Sequence, residues 1–305
     1  MNVLILDPTY ELRRFPFAAE TPAFMLPVVQ RTLLERTLEG LARCGLVRPI
    51  LVTTRNVAED HALSCAVVDH ELDLARTVPQ ALDRLRRKGR LDQPLLMLRP
   101  NLHPLPSITR LLMQHMQGRQ QVSVVRGRTA YGPGQYGFGP PVLVLGDALL
   151  AHVLLQNAGE RPLVEAPRIA RKHGLQVEVL EAKEAPVEIN NPFALFQANL
   201  ETLAAAPTHE VRGLRQLGPK LWVAADARVE KVDVDPDGGP VLVGSGSVLV
   251  AGTTLRGPTV LGRNVTVEGG SFIHRGLILD RTELGAQSFV ARCVVSPFYK
   301  AAIAA

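Results

Sequence analysis

The chain has 305 residues, 46% hydrophobic and 21% charged, which is enough apolar content to bury a sizeable core and leaves disorder without support; two domains are as readily expected as one. The net charge of +5 raises nucleic acid as a partner, but basic residues cluster only at Arg84, Arg86, Arg87, Lys88 and Arg90, where they close a predicted helix before Gly89 and complement its dipole. No aromatic residues interleave with them, so no nucleic-acid partner is expected. No apolar run reaches the roughly 18 residues of a membrane span, and Val3 to Leu6 is cut short by Asp7 and Pro8. A cytoplasmic location without signal peptide or membrane contact is expected. Cys44, Cys65 and Cys293 are odd in number and widely spaced, and read as free thiols.

In chain order, short aliphatic runs alternate with amphipathic stretches over residues 1–205, the pattern of an α/β domain with a mostly parallel sheet and helices on both faces. Strands are predicted at Val3 to Leu6, Pro49 to Thr53, Leu95 to Leu98, Val122 to Val125, Val142 to Leu145 and Val177 to Leu180. The first helix follows Thr32, which forms a capping-box pattern with Glu35, carries Leu34, Leu38, Leu41 and Ala42 on one face, and ends near Gly45. Further helices are predicted at about 77–88, 105–117, 147–156, 164–173 and 193–205.

Residues 206–219 read as a linker. Beyond them the period becomes six: Val243, Leu249, Leu255, Leu261, Val267, Ile273 and Leu279 follow one another at that spacing. Two positions before the first six of these stand Val241, Ser247, Thr253, Thr259, Val265 and Ser271. Such a repeat predicts a β-helix over 220–296, three strands to a coil, with the aliphatics pointing inward. Val223 and Val229 before it, and a slip to Leu284 and Val290 after it, extend the solenoid to about four coils, leaving 297–305 as a tail.

Met1 to Val28 resembles the opening of the sugar-1-phosphate nucleotidyltransferases, I-L-A-G-G-x-G-T-R-L-x-P-L-T-x-x-x-P-K-P-M-L-P-V. The matching residues are Ile5-Leu6, Arg13, Pro16, Thr21-Pro22 and Met25-Leu26-Pro27-Val28, followed by Leu33-Leu34-Glu35. Val187 to Pro192 with Leu195 and Ala198-Asn199 resembles the motif that ends the catalytic domain, and Gly159-Glu160, Leu163 and Glu165 resemble G-E-x-x-L-T-D. The resemblance implies a Rossmann-like nucleotidyltransferase domain followed by a left-handed parallel β-helix. It also implies a sugar-binding half of the cleft around Glu160, Asn190, Asn191 and Tyr136, with Tyr131 on the same Gly/Pro-rich loop.

The departures from that pattern bear on activity. Pro8, Thr9 and Glu11 replace the glycines whose backbone N–H groups would wrap a triphosphate. Proline donates no hydrogen bond and glutamate repels phosphate. Ala23 stands in place of the phosphate-neutralising lysine, leaving Arg13 as the retained catalytic cation, with Arg14 beside it. Asn101 replaces the metal aspartate, and Glu188 or Asn190 is left to supply a second ligand. The G-T-A-G segment is replaced by Leu74 to Pro79, and the E-K-P lysine is missing between Val125 and Val142.

In-line nucleotidyl transfer rests on positioning and charge neutralisation, and each lost charged group is worth roughly 3 kcal/mol in such a site. The expectation is a catalytically silent protein with a regulatory, scaffolding or sugar-nucleotide-sensing role, forming a homo-oligomer or partnering an active relative. One alternative is a divergent active enzyme, which would require Mg²⁺; the silent reading implies no cofactor. A further alternative is β-helix acyl transfer using His274, the single histidine of the solenoid. Stacking of Thr/Ser-rich solenoid faces against a second copy is expected.

Overall fold

The computed structural model describes residues 1–7, 17, 21–46, 48–53, 73–90, 93–118, 121–125, 142–146, 148–159, 161–182, 186–205, 213–235 and 238–303. It is a mixed α/β structure with parallel sheets and helices and a large strand-rich C-terminal region. The chain separates into two compact units: the first holds Met1–Arg13, Thr21–Met25 and Leu33–Ile189, the second Arg14–Glu20, Leu26–Thr32 and Asn190–Ala305. The division falls at Ile189 and Asn190, ahead of the boundary expected after residue 205.

The strands up to the division are β1 (Asn2–Leu6), β2 (Pro27–Val28), β3 (Arg31–Thr32), β4 (Ile50–Val52), β5 (Asp73–Ala75) and β6 (Leu95–Leu98). They continue with β7 (Leu102–His103), β8 (Val122–Val125), β9 (Val142–Leu145), β10 (Val177–Leu180) and β11 (Val187–Glu188). Helices are α1 (Leu33–Ala42), α2 (Val78–Arg87), α3 (Ile108–Gly118), α4 (Ala148–Gln156), α5 (Pro162–Lys172) and α6 (Pro192–Ala205).

The first unit is organised on a sheet of order β10-β8-β9-β6-β1-β4-β5, in which β9 alone runs antiparallel to its neighbours. Successive strand side chains point to opposite faces, and both faces are apolar. Leu4, Leu6, Val122 and Leu145 pack with Leu82 and Leu85 of α2, Leu154 of α4 and Leu163 of α5. Val3, Ile5, Leu98 and Val144 pack with Leu34 and Leu38 of α1 and Ile108 and Leu111 of α3. Burial on both sides is why these strands read as unbroken aliphatic runs rather than alternating ones. Thr77 caps α2 by accepting a hydrogen bond from Gln80 N–H at 3.3 Å. The basic cluster at the far end of α2 is a solvated helix end: Arg84 and Lys88 both pair with Asp73 on β5, Lys88 at 2.9 Å.

Buried His115 on α3 shares a hydrogen bond with Ser123 Oγ at 2.8 Å. Burial pushes its pKa below 6.5, and the nearby Glu178 charge only partly opposes this. Unfolding frees the imidazole to take up a proton first. The stability it contributes is therefore fully present above pH 6.5 and is lost as the pH falls from there through the depressed value. Thermal melts taken on either side of that pH should show this loss, and the slope should flatten in His115→Gln.

The second unit carries β12 (Leu214–Gly218), β13 (Leu221–Ala224), β14 (Arg228–Val229), β15 (Asp233–Val234), β16 (Val241–Val243) and β17 (Val248–Leu249). It continues through β18 (Thr254–Arg256), β19 (Thr259–Leu261), β20 (Thr266–Val267), β21 (Phe272–His274) and β22 (Leu277–Ile278). The last strands are β23 (Glu283–Leu284), β24 (Phe289–Ala291), β25 (Cys293–Val295) and β26 (Lys300–Ala302). From β13 to β25 the chain visits three parallel sheets in turn: β13-β16-β19-β22-β25, β14-β17-β20-β23 and β15-β18-β21-β24.

Three aliphatic ladders line the interior. Val223, Val243, Leu261, Ile278 and Val295 are in register in the first sheet, Val229, Leu249, Val267 and Leu284 in the second, and Val234, Leu255, Ile273 and Val290 in the third. The slip in the six-residue repeat comes earlier than expected: Ile278, not Leu279, aligns with Leu261. Gly276 lies within the shortened turn, where an added Cβ would stand 2.9 Å from Ile273.

The small residues between the aliphatics are not on the outer faces. Ser247, Thr253, Thr259 and Ser271 are buried, so Thr/Ser-rich faces for stacking do not exist at these positions. Their hydroxyls satisfy the corners: Ser247 Oγ donates to Gly262 O and accepts from Val265 N–H, and Thr259 Oγ1 donates to Arg256 O and accepts from Gly276 N–H. A buried corner amide needs such a partner because no water reaches it.

Antiparallel strands extend both ends of the first of these sheets: β12 pairs with β13 and β26 with β25. The expected linker and the expected tail each therefore contain a strand. Helix α6 packs on β2 and across β19, which assigns it to the strand-rich unit. Among the described residues no helix is long and apolar enough to cross a membrane.

Candidate functional site

In the first unit the strand order reverses at β1. The chain leaves β1 through α1 to β4 on one side, then crosses after α2 to β6 on the other. In an open α/β sheet this reversal opens a crevice beyond the carboxyl ends of the two central strands. Asp7 follows β1 and Arg99, Pro100 and Asn101 follow β6, so these residues stand beyond the carboxyl ends of the two central strands.

Asp7 is held by the neighbouring strand. Its backbone N–H donates to Val52 O at 2.9 Å, and its Oδ2 accepts from Thr53 Oγ1 at 2.7 Å. Ala23, at the position where the resemblance implies a lysine, is fully buried in a single 3₁₀ turn, Ala23–Met25, and supplies no charge.

The two metal candidates lie beside each other, Glu188 engaged through its carboxylate and Asn101 through its Nδ2 alone. The short β7–β11 ladder pairs Glu188 with Leu102, and Ile189 N–H donates to Asn101 O at 2.8 Å. Asn101 is wholly buried; its Nδ2 donates to Ile189 O at 3.2 Å, while its Oδ1 has no hydrogen-bond partner among the described residues. The Glu188 carboxylate takes a charge-assisted hydrogen bond from Arg99 Nη1 at 2.6 Å, with 3% of the arginine side chain and 9% of the glutamate side chain exposed. A cation approaching Glu188 meets a guanidinium already in place. Arg99 is not among the residues singled out above, although an arginine directly after the fully apolar Leu95–Leu98 is a readable signal, because a charge at the end of a buried strand requires a partner.

Asn190 and Asn191 fall in the other unit. Asn191 Oδ1 accepts from Ala194 N–H at 2.8 Å, capping α6 ahead of Pro192, and its Nδ2 donates to Asn190 Oδ1 at 3.0 Å. This is a standard helix start, an asparagine cap with proline in the first turn. Asn199 is likewise structural: its Oδ1 accepts from Val29 N–H at 2.6 Å and its Nδ2 donates to Pro27 O, holding the β2–β3 turn in which Val29 adopts φ 62°.

Arg13, Arg14, Tyr131, Tyr136 and Glu160, with Pro8, Thr9 and Glu11 of the phosphate-loop segment, lie outside the described residues. His103 pairs with Val187 through the β7–β11 ladder. His274 is on β21, its Nδ1 buried and without a hydrogen-bond partner among the described residues, and burial and then the charges of Arg275, Arg256 and Arg292 push its pKa below 6.5. Among the described residues no group of three or more histidine, cysteine or acidic side chains is placed to hold a metal ion. No protein-family model matches the chain, and no curated protein matches it.

Proposed function

We propose that the chain is a sugar-1-phosphate nucleotidyltransferase-like protein without catalytic activity, built from a Rossmann-like domain and a left-handed parallel β-helix. It serves as a regulatory, scaffolding or sugar-nucleotide-sensing subunit in sugar-nucleotide or polysaccharide metabolism. The observation that carries this reading is the buried Arg99–Glu188 pair beside Asn101.

Mg²⁺ at a phosphoryl-transfer site is anchored by one or two carboxylates together with phosphate oxygens. Here Glu188 is neutralised by a tethered guanidinium, Asn101 offers only an uncharged amide whose Nδ2 is turned to the backbone of Ile189, and Ala23 supplies no cation at the lysine position. The residues present do not fit the ion. Electrostatic stabilisation carries most of the rate enhancement in this chemistry, so its removal leaves binding as the surviving activity of the fold.

Calorimetry against UTP, dTTP, GTP, ATP and CTP, with and without Mg²⁺, tests the proposal. The expected result is no Mg²⁺-dependent nucleotide binding and no pyrophosphate release with any sugar phosphate, while sugar-nucleotide binding, where it occurs, is indifferent to Mg²⁺. Tight Mg²⁺-dependent binding of any nucleoside triphosphate would overturn it.

A further inference from the structure

The three sheets of the strand-rich unit differ in what lies outside them. Outward-facing Leu242, Val260, Leu277 and Val294 of the first sheet are buried, and α6 packs across β19. The outer face of the β15-β18-β21-β24 sheet is open and carries its charge unevenly. Rung by rung its outward residues are Asp233 and Asp235, then Thr254 and Arg256, then Phe272 and His274, then Phe289 and Ala291. The first rung is acidic and the last two are aromatic and flanked by Arg275 and Arg292.

Several features mark the basic end as unfinished. Phe289 is 67% exposed and stacks on Phe272, with ring centroids 5.4 Å apart and planes within 6°. The Arg256 guanidinium lies over the Phe272 ring, 5.3 Å from its centroid. Arg275 and Arg292 follow registered residues on adjacent rungs, so two like charges stand one above the other. Both adopt left-handed backbone, φ 49° and 47°, which non-glycine residues avoid. Neither side chain has an ion pair or hydrogen bond among the described residues.

A face that is acidic at one end and flanked by arginines at the other is complementary to itself turned end for end. Turning a second copy about a two-fold axis parallel to the strands brings the first rung opposite the fourth and the second opposite the third. The alternative, with solenoid axes parallel, sets each rung on its own copy with strands reversed, so that Asp233 of one faces Asp235 of the other, and is disfavoured by like charge. We propose that this face joins two copies of the chain in antiparallel packing, with Asp233 and Asp235 of each opposite Phe289, Ala291 and Arg292 of the other. Arg256 then faces His274, whose pKa burial and the surrounding arginines lower. The interface involves the strand-rich unit alone and is independent of the reading of the nucleotide crevice.

Sedimentation velocity of the full chain over a micromolar concentration series tests this. The wild-type chain should be a dimer whose dissociation constant rises with salt. Asp235→Arg and Arg292→Glu should each weaken it by about tenfold or more, and the two together should restore it. Asp235 also lies 3.7 Å from Arg256 within its own chain, whereas Arg292 has no such partner among the described residues, so the Arg292 variant reads the interface alone. Phe289→Ala, at an exposed site, supplies a charge-independent loss. A wild-type monomer, single variants that leave the dimer intact, or a double variant that melts like wild type yet stays monomeric would each overturn the proposal.

Discussion

Replacing Arg99 by methionine should cost the first unit about 3–5 kcal/mol, because it strands the Glu188 carboxylate in a site where 9% of its side chain meets solvent. The cost belongs to breaking the pair, not to lacking one. Desolvating two charges offsets much of their attraction, so the double variant Arg99→Met with Glu188→Leu should recover most of the loss. Calorimetric melts of the wild type, both single variants and the double variant form the complete cycle. Hydrogen exchange on β6, β7 and β11 should show the loosening of the single variants where the pair ties these strands together. Equal stability of wild type and the Arg99 single variant would mean that the pair neutralises nothing of consequence, and a silent site would lose its physical basis.

That pair also shows where sequence reasoning reaches its limit. Leu95–Leu98, Val122–Val125, Val142–Leu145 and Val177–Leu180 are found with the predicted bounds, because consecutive aliphatics between turn residues report a strand regardless of its partners. Asp73–Ala75 carries no such signal: it has three residues, one charged, at the edge of the sheet, and only its pairing with β4 makes it a strand. Strands β12 and β26 escape for the same reason, being largely exposed and defined by antiparallel pairing to β13 and β25 rather than by an apolar pattern. The hexapeptide repeat is legible because every ladder position repeats a one-dimensional contact. Its slip at Ile278 is not, since Ile278 and Leu279 are adjacent, both aliphatic and both buried, and register alone separates them.

At the candidate site the limits are sharper. The sequence places Asn101 and Glu188 near one another only through resemblance, while the Arg99–Glu188 contact joins residues 89 positions apart. No local pattern encodes that distance. Asn191 illustrates the converse: a residue singled out as ligand-like is engaged in capping α6, a duty for which asparagine's paired donor and acceptor are equally suited.

The largest effect in the strand-rich unit should come from Leu255→Ala. Leu255 is fully buried and stands between Val234 and Ile273 in its ladder, so truncation leaves a cavity bounded by a backbone that is hydrogen-bonded to the turns before and after it. Collapse around it is restricted on both sides, which places the expected loss within the about 2–5 kcal/mol of buried leucine truncations. Thr259→Val, close in volume, tests a different contribution: it removes the hydroxyl that joins Arg256 O to Gly276 N–H and should cost about 1–3 kcal/mol for the corner groups left without a partner. Trp222 is the chain's single tryptophan and lies on β13, so denaturant titration followed by its fluorescence reports this unit directly. Strand β18 pairs with β15 and β21, and hydrogen exchange should therefore quicken first at these three strands. A Leu255→Ala loss below that of Thr259→Val would mean that corner hydrogen bonding, rather than the aliphatic ladders, holds the turns in register.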